Sequence, residues 1–332
     1  MRLSPAFRQF LRSCLSHALR WSFTLLVLLV FGYAVFVAIR FHHIDTRAYA
    51  WMRQLAHAHA AEPPSGGRVL GAYAMQQGPI EVQGVRRNLS GLAFDADTQT
   101  LISVVNRPAQ LVRLSLDGQV TSTHRLLNAA DVEGVAYLGQ GRVALLEEGR
   151  HRIVLSTLPA TPDADLDLQG AVALQLSLNN SASAEGVLAG NAGFEGIGYD
   201  LKKDQLYVAK EHSPRALYRI TGLGRPAPGK AMNVSIENLS DWVLDAAVVG
   251  TDLSSVEVDP SSGHLLLLSD ESQTLVELDE QGLLLGRFNL SGWPGAGRAV
   301  PQAEGTAMAP NGDIFIVSEP NLFYRLAPSK VR

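Results

Sequence analysis

Short runs of alternating apolar and polar residues fill the chain beyond Ala72, and Gly, Asp, Asn and Pro separate them. This period of two predicts β-strands, each with one buried face. A different pattern precedes them, because the stretch from Trp21 to Ile39 contains nineteen residues without a charge. At about 1.5 Å per residue it would form a helix of roughly 28 Å, close to the hydrocarbon thickness of a bilayer. The pattern therefore predicts one N-terminal transmembrane helix followed by an all-β domain.

Five segments of the β region repeat the same order of strands and turns. In each, a first strand, a polar turn and a more apolar second strand precede a polar loop and a third strand. Two segments add a fourth strand, in "QVTSTHRLL" and "LLLGRFNL". The segments begin at Leu89, Val132, Phe194, Leu253 and Ala303. Repeats of this kind predict a five-bladed β-propeller in which the second strand of each blade is central.

Closing the ring requires an outer strand for the last blade, because an open ring would expose two sheet edges. Residues 69–82 precede the first repeat and are predicted to supply that strand. Residues 168–178 are predicted to give the outer strand of the second blade, and "MNVSIENLS" that of the third. A sixth blade would require a degenerate unit in "SAEGVLAG", which begins at Ser183.

These features predict four parts of the chain: a cytoplasmic tail at 1–20, a transmembrane helix at 21–39, a juxtamembrane connector at 40–67 and the propeller at 68–328. A cleaved signal peptide fits less well, because the apolar run is long and the first small-residue cleavage pattern lies far downstream, in "AHAHAA". Arginines are slightly more numerous before the span than after it. This bias favours a cytoplasmic N-terminus, and with it a signal-anchor that leaves the propeller exported.

Composition excludes several kinds of function. The formal charge of −4 and the lack of a Lys/Arg run argue against nucleic acid as a partner. Cys14 is the single cysteine, so the β domain has neither disulfides nor a Cys-based zinc site. Motifs for a phosphate loop, a serine nucleophile or a zinc hydrolase are missing, and we predict no catalytic residue and no nucleotide or redox cofactor. His212 is the histidine of most interest, because acidic residues surround it in sequence.

Acidic residues recur at two positions of the repeat. The first strand of a blade lines the channel and runs antiparallel to the second, so its start lies beside the end of the second strand. The start positions, here called the channel-mouth ring, are Ser90, Glu133, Glu195, Ser254 and Glu304. The end positions, here called the rim ring, are Arg107, Glu148, Glu211, Asp270 and Glu319. Both rings are predicted to surround one mouth of the channel, where the Gly that follows in four repeats indicates crowding.

Clustered carboxylates repel one another, so this arrangement needs compensation. A hard divalent cation would provide it, and Ca²⁺ prefers oxygen ligands of this kind. Glu133, Glu195 and Glu304 are the predicted metal ligands. The alternative is that these carboxylates accept hydrogen bonds from backbone N–H groups of the next blade, and that Arg107 and Lys210 neutralise part of the charge.

The repeats resemble the SdiA-regulated family of bacterial β-propeller proteins over nearly the whole chain. The motifs that carry the resemblance are "FEGIGYD", "NRPAQLVRL", "DVEGVAY" and "QAEGTAMAPNGDIFIVSEPNLFYRL", the last from Gln302 to Leu326. The resemblance implies a single-pass protein of the bacterial inner (plasma) membrane with its propeller in the periplasm, outside the cytoplasm. It gives no catalytic residues to transfer. The family is also similar in pattern to calcium-dependent propeller esterases, including phytase-like domains.

Two functions follow from these observations. The first is a non-catalytic module that binds a ligand or an envelope protein, with a calcium site at the channel mouth. The second is a calcium-dependent hydrolase of phosphate or other esters, in which a channel cation polarises the substrate and Glu133, Glu195 and Glu304 act as ligands or bases. The lack of a nucleophile constellation favours the binding module.

Overall fold

A computed structural model describes residues 5–42, 48, 52, 70–176, 193–212, 214–223, 233–244, 249–292 and 299–329. The chain divides into two compact units, Met1–Tyr49 and Ala50–Arg332. The first unit contains helix α1, from Pro5 to His42. Within α1 the segment Leu19–Ile39 is long and apolar enough to cross a membrane, and its side chains are not buried against protein.

The second unit contains five β-sheets that form the blades of a propeller. Blade 1 contains β2 (Leu89–Asp95), β3 (Thr100–Val105), β4 (Gln110–Leu114), β5 (Val120–Leu127) and β9 (Leu166–Asp167). Blade 2 contains β6 (Val132–Gly139), β7 (Arg142–Glu147), β8 (Arg152–Thr157) and β10 (Val172–Gln175). Blade 3 contains β11 (Phe194–Asp200), β12 (Gln205–Lys210), β13 (Ala216–Thr221) and β14 (Ser235–Asn238). Blade 4 contains β15 (Ser255–Val258), β16 (Leu265–Ser269), β17 (Thr274–Leu278) and β18 (Leu284–Asn289). Blade 5 contains β19 (Ala303–Met308), β20 (Ile314–Ser318), β21 (Leu322–Pro328) and β1 (Tyr73–Glu81).

The ring is closed by a strand from the start of the domain. β1 pairs antiparallel with β21, from Tyr73 opposite Pro328 to Glu81 opposite Leu322. This confirms the predicted closure, and the five-bladed fold is confirmed with it. The predicted outer strands of the second and third blades are also present, as β10 and β14. The stretch "SAEGVLAG" lies outside the described residues.

The core lies between the blades, and β16 illustrates how the sequence produces it. All five of its residues, "LLLLS", are buried. Leu266 and Leu268 pack toward blade 5, in the same cluster as Ile314. Leu265 and Leu267 point the other way, into the cluster that contains Tyr207 of blade 3. Because neighbouring blades cover both faces, the central strand is apolar throughout instead of alternating.

An acidic site at one mouth of the channel

The first strands of the five blades contact one another in a closed ring around the channel axis. Each begins beside the end of its neighbour in the same blade, as the antiparallel pattern requires. The Glu148 N–H donates to the Asp131 carbonyl at 2.9 Å, and the Glu211 N–H donates to the Gly193 carbonyl at 3.1 Å. The Glu319 N–H makes the equivalent bond to the Gln302 carbonyl at 3.0 Å. The channel-mouth and rim positions therefore lie at the same end of the strands.

One predicted member of the rim ring is out of place. In blade 1 the equivalent backbone bond is made by Asn106, whose N–H donates to the Asn88 carbonyl at 3.2 Å. Asn106, not Arg107, therefore occupies the rim position of this blade. The Arg107 side chain is 74% exposed, and its Nη2 lies 3.1 Å from Asp131 Oδ1. The prediction was wrong by one residue, because blade 1 has no acid at this position to mark the alignment.

The Glu-Gly pairs coincide with irregularities in the strand ladders. Register shifts occur between Val132 and Gly134, between Phe194 and Gly196, and between Ala303 and Gly305. The extra residue of a bulge leaves the ladder and turns its side chain in a new direction. In these three blades that residue is the channel-mouth glutamate.

Glu133 lies at the interface of blades 1 and 2, and its side chain is partly accessible. Its Oε1 accepts a hydrogen bond from Asn106 Nδ2. Burial raises the pKa of Glu133 to about 7. The nearby Ser90 hydroxyl opposes the rise, and the Glu148, Asp131 and Glu319 carboxylates add to it. An acid of this kind exchanges protons near neutral pH.

Glu195 and Glu304 are affected more strongly. Burial, followed by the charges of Glu211 and Glu304, raises the pKa of Glu195 well above its ordinary value, and its side chain is hydrogen-bonded to Glu211. Burial also raises the pKa of Glu304 well above its ordinary value, with contributions from Asp270, Glu319 and Glu133. The same carboxylates therefore act on one another across several blades, and the mouth cannot hold all of them ionised without cost.

The two serines of the channel-mouth ring serve a different purpose. The Ser90 hydroxyl donates to the Glu133 carbonyl at 2.8 Å, and the Ser254 hydroxyl donates to the Ala303 carbonyl at 2.7 Å. Each bond joins one blade to the next, so the serines fasten blades together. Among the described residues, no backbone N–H donates to the side chain of Glu133, Glu195 or Glu304. A contact between blades is made instead by the Asn106 side chain of blade 1, which donates to Glu133 of blade 2.

The rim ring is less uniform. Burial raises the pKa of Glu148, with Asp131 and Glu211 adding to the shift. Burial also raises the pKa of Glu319, and the charge of Arg87 opposes the shift. Asp270 has a structural contact, since its Oδ1 accepts the Ala303 N–H at 3.0 Å.

Sequence reasoning missed Asp252, which is 1% exposed. Its oxygens accept hydrogen bonds from the Ser269 hydroxyl and from the backbone N–H groups of Asp270 and Glu271, the latter two at 2.9 and 3.2 Å. Burial raises its pKa to about 6. Asp252 therefore holds the loop of rim residues in blade 4, and no repeated motif marked it in the sequence.

The basic residues that were considered for this site have other partners. Lys210 Nζ donates to the His212 and Pro214 carbonyls, the latter at 3.3 Å, and burial lowers its pKa. Arg215 donates to the Val243, Leu244 and Thr251 carbonyls. His212 Nε2 lies 3.0 Å from Glu211 Oε1, and this hydrogen bond raises the pKa of the imidazole. These side chains do not converge on Glu133, Glu195 and Glu304.

A basic cleft adjoins the acidic mouth. Arg86, Arg87 and Arg107 line it together with the backbone around Val85 and Pro108. Arg86 and Arg87 are exposed, and no hydrogen bond or ion pair engages either side chain among the described residues. The charge of Arg87 reaches Glu319. In the sequence this cleft is marked only by the pair "RR" just before the first repeat. Two arginines are too few to be recognised as a basic run.

The residues of the mouth have the chemistry of a calcium site, because carboxylate and carbonyl oxygens are the ligands that this ion prefers. Their present arrangement is not that of a formed site. Within the described parts of the chain, no group of three or more His, Cys, Asp or Glu side chains is placed to hold a metal ion. Glu133 instead bonds to Asn106, and Glu195 to Glu211.

A family model described as SdiA-regulated matches residues 68–327, from just before β1 to the last strand. The chain belongs to the SdiA-regulated family. The match covers all five repeats and includes the residues of both rings. This confirms the resemblance that the motifs indicated.

Several solved structures are similar to this family member at low identity. One is a luciferin-regenerating enzyme, with 14% identity, a TM-score of 0.46, and coverage of 75% of this chain and 95% of that one. Another is a gluconolactonase from Xanthomonas campestris, with 14% identity, a TM-score of 0.40, and coverage of 79% and 98%. A third is regucalcin, a calcium-binding protein from Agrobacterium tumefaciens, with 12% identity, a TM-score of 0.43, and coverage of 79% and 94%. Likeness at this level does not bear on what the SdiA-regulated chain binds.

Proposed function

We propose that this SdiA-regulated protein is a membrane-tethered periplasmic binding module whose acidic channel mouth takes up Ca²⁺. The ion, together with the surrounding loops, would form the surface that binds a ligand or an envelope protein. Helix α1 supports the tether, because its segment Leu19–Ile39 has the length and composition of a membrane span.

One observation carries the calcium proposal. Glu133, Glu195 and Glu304 are desolvated, and neighbouring carboxylates raise their pKa values further, while Lys210 is engaged by backbone carbonyls instead. Protons compensate the charge in the absence of a cation. A divalent cation would replace those protons, and its binding is therefore coupled to proton release.

Calcium suits the site better than magnesium. Its coordination number and geometry are flexible, whereas Mg²⁺ demands a tight octahedron and gives up its water reluctantly. To bind the ion, the Glu195 side chain must break its hydrogen bond with Glu211. The Glu133 side chain must likewise break its hydrogen bond with Asn106. Calcium binding therefore requires these side chains to rotate toward the channel axis.

The proposal is tested by equilibrium binding of Ca²⁺ to the full-length protein in detergent. We expect saturable binding at pH 7.5, accompanied by proton release in weakly buffered solution, and weaker binding at pH 5.5. By mass action, calcium should also raise the free energy of unfolding by about 2.7 kcal/mol at a hundred times its dissociation constant. The melting temperature should rise accordingly. Magnesium at the same concentration should have a smaller effect.

The combined change of Glu133, Glu195 and Glu304 to Gln should abolish binding and proton release together. Asp117→Asn is the matched control, because this carboxylate is exposed and remote from the mouth. If calcium binds neither the wild type nor the control, or if the triple variant binds it equally well, the calcium proposal is wrong. In that case the acids serve the contact between blades alone.

A second candidate function is hydrolysis of an anionic ester, and the basic cleft is the observation that favours it. Arg86, Arg87 and Arg107 could hold a phosphate or sulfate group beside the acidic mouth, since guanidinium groups bind such oxyanions in two-point contacts. Glu133, with a pKa of about 7, would be suited to accept a proton at neutral pH.

A calcium-dependent cleavage of p-nitrophenyl phosphate or p-nitrophenyl sulfate would support this candidate. Activity should fall in the double variant Arg86→Ala, Arg87→Ala and in Glu133→Gln, while Asp117→Asn keeps it. Calcium binding without turnover of either ester leaves the binding module as the function.

A further inference from the structure

The end of the channel opposite the acidic mouth contains a second, separate feature. The position three residues beyond the channel-mouth ring lies toward this end of each first strand. Its occupants are Ala93, Ala136, Gly198, Glu257 and Ala307. Four of these are among the smallest residues, and the fifth is a glutamate. All but Ala307, which is buried between blades 5 and 1, line one pocket, in which the small residues leave space in front of the single long carboxylate.

Glu257 is 9% exposed and has no basic partner within the described parts of the chain. Its Oε1 accepts the N–H of the adjoining Val258 at 2.9 Å. Its second oxygen accepts no hydrogen bond from any described residue. No Lys, Arg or His side chain lines the pocket into which the carboxyl group points.

Other buried glutamates of this protein show what a structural role requires. Glu147 is fully buried, and Arg152 and Arg150 pair with its two oxygens. Glu277 is also fully buried, and its Oε1 lies 2.8 Å from His264 Nδ1. These two glutamates each have a basic partner, and none is seen at Glu257 among the described residues.

The walls of the pocket are aromatic and aliphatic. Phe94, Tyr137 and Tyr199 come from blades 1, 2 and 3, and Met308 comes from blade 5. The Tyr137 hydroxyl is bonded to Asp97 and to the Gly141 N–H, and the Tyr199 hydroxyl donates to Asp204 at 2.5 Å. Because these hydroxyls are engaged at the rim, the rings themselves form the lining. Such rings attract cations through their faces.

The pocket is independent of the acidic mouth and open to solvent. Along a strand, three residues span about 10 Å, which separates Glu257 from Ser254 of the channel-mouth ring. Burial raises the pKa of Glu257 to about 8, and the charge that adds to this shift is that of Asp259, not that of a mouth residue. Leu201 and Pro310, both exposed, line the outer part of the pocket and mark its opening.

We propose that this pocket, here called the Glu257 pocket, binds the ammonium group of a small organic amine. The carboxylate supplies the single opposite charge, and the aromatic and methionine side chains surround the methylene groups next to the nitrogen. A primary alkylammonium ion would place its head on Glu257 and its chain toward Leu201 and Pro310. An inorganic divalent cation would find one carboxylate and apolar walls, which is too few oxygen ligands.

The test uses n-propylammonium chloride with the full-length protein in detergent at pH 8.5, followed by saturation-transfer NMR and calorimetry. We expect a dissociation constant on the order of 1 mM, the range for a ligand of this size. The neutral analogue n-propanol should bind at least ten times more weakly. Glu257→Gln should weaken propylammonium binding about tenfold or more, and Tyr199→Leu several-fold, while Tyr199→Phe retains it.

Two controls separate this site from the rest of the molecule. Asp117→Asn removes an exposed charge and should leave binding unchanged. The triple Glu→Gln variant of the acidic mouth should still bind propylammonium, whatever its effect on calcium. A Glu257→Asp variant, which keeps the charge but shortens the side chain, guards against misfolding of the Gln variant and should bind more weakly than wild type. Equal binding of propanol, unchanged binding by a folded Glu257→Gln variant, or no binding to wild type would each overturn the proposal.

Discussion

The glycine that follows each mouth glutamate sets the distance between neighbouring first strands. A Cβ atom on Gly196 would lie 2.9 Å from the Val256 N and 3.0 Å from the Ser255 carbonyl carbon, both in the next blade. Gly305 has the same relation to blade 1, with Leu92 N at 2.7 Å. Since backbone atoms cannot move aside as a flexible side chain can, any larger residue would push two blades apart.

Gly196→Ala should therefore destabilise the propeller by roughly 1–3 kcal/mol, the usual cost of overpacking. The control is Gly71→Ala, because nothing lies within 4 Å of a Cβ at that position. Thermal melts of both variants in detergent provide the comparison. If the two variants melt together, the close approach of β11 and β15 does not restrict this position.

The charge of Glu133 makes stability depend on pH. Its pKa is about 7 in the folded chain, against 4.5 for the free side chain. Between these values the folded state holds a proton that the unfolded state has lost, so the free energy of unfolding falls as pH rises through this window. At pH 8 the full effect is at most about 3 kcal/mol, and less where solvent reaches the carboxylate.

Glu133→Gln should accordingly raise the melting temperature at pH 8 and raise it much less at pH 5, since Gln has no proton to lose. Melts at the two pH values without calcium test this, with Asp117→Asn as the exposed control. An equal loss of stability at both pH values would instead mean that Glu133 fastens blades through Asn106.

Residue by residue, the sequence was most informative where it repeats. The Glu-Gly pairs marked the start of the first strand in blades 2, 3 and 5, and the repeat alone indicated that these acids share one end of the channel. It could not indicate that Glu133 bonds to Asn106 or that Glu195 bonds to Glu211, because those contacts depend on the bulges and on the neighbouring blade. Glu257 was visible as the one charge among Ala and Gly at its repeat position, but nothing in a single strand marks it as facing a pocket.

At the scale of elements, the closing strand β1 joins the two ends of the domain. Beyond its ladder with β21, the Val82 N–H donates to the Asn321 carbonyl at 2.8 Å, and the Ser329 N–H donates to the Ala72 carbonyl at 2.7 Å. The Tyr73 hydroxyl donates to the Gly312 carbonyl at 2.9 Å. Without β1 the backbone of β21 would become an exposed edge, which invites aggregation.

A chain that begins at Arg68 should be soluble, with β-dominated circular dichroism and one cooperative melt. A chain that begins at Gln83 lacks β1 and should aggregate or melt far lower, because the last blade loses its outer strand. Comparing the two by circular dichroism and light scattering tests the closure. If the chain from Arg68 aggregates and only the connector at 40–67 restores solubility, the predicted start of the propeller at residue 68 is wrong.

Strands with a clear period were predictable, and the shortest one was not. Runs of strand-forming residues or turn signals mark the outer strands β5, β10, β14 and β18 in the sequence. β9 contains two residues, Leu166 and Asp167, and pairs parallel with β5. Two residues cannot display a period, and a parallel partner far along the chain follows from tertiary packing alone.

At the scale of the whole molecule, the orientation of the chain decides which solution the propeller meets. Arg2, Arg8, Arg12 and Arg20 precede the apolar span, while Arg40, Arg47 and Arg53 follow it. Basic residues near a span favour the cytoplasmic side, so the small excess before the span favours an exported propeller. The absence of cysteine beyond Cys14 is compatible with an oxidising compartment, because no thiol there can form an unwanted disulfide.

We therefore expect alkaline phosphatase fused after Arg332 to be active in bacterial cells, because this enzyme is active only when it is exported. Green fluorescent protein fused at the same position, and exported by the same route, should be dark. The bias of four arginines against three is small, so the orientation should be sensitive to charge. Replacing Arg8, Arg12 and Arg20 with Ala, and adding three Lys after Phe41, should shift a measurable fraction of chains to the opposite orientation. This charge-swapped chain also shows that the reporters respond to topology.

A fluorescent, phosphatase-inactive wild-type fusion would place the propeller in the cytoplasm, where free calcium is scarce, and would thereby count against calcium as the ion at the acidic mouth.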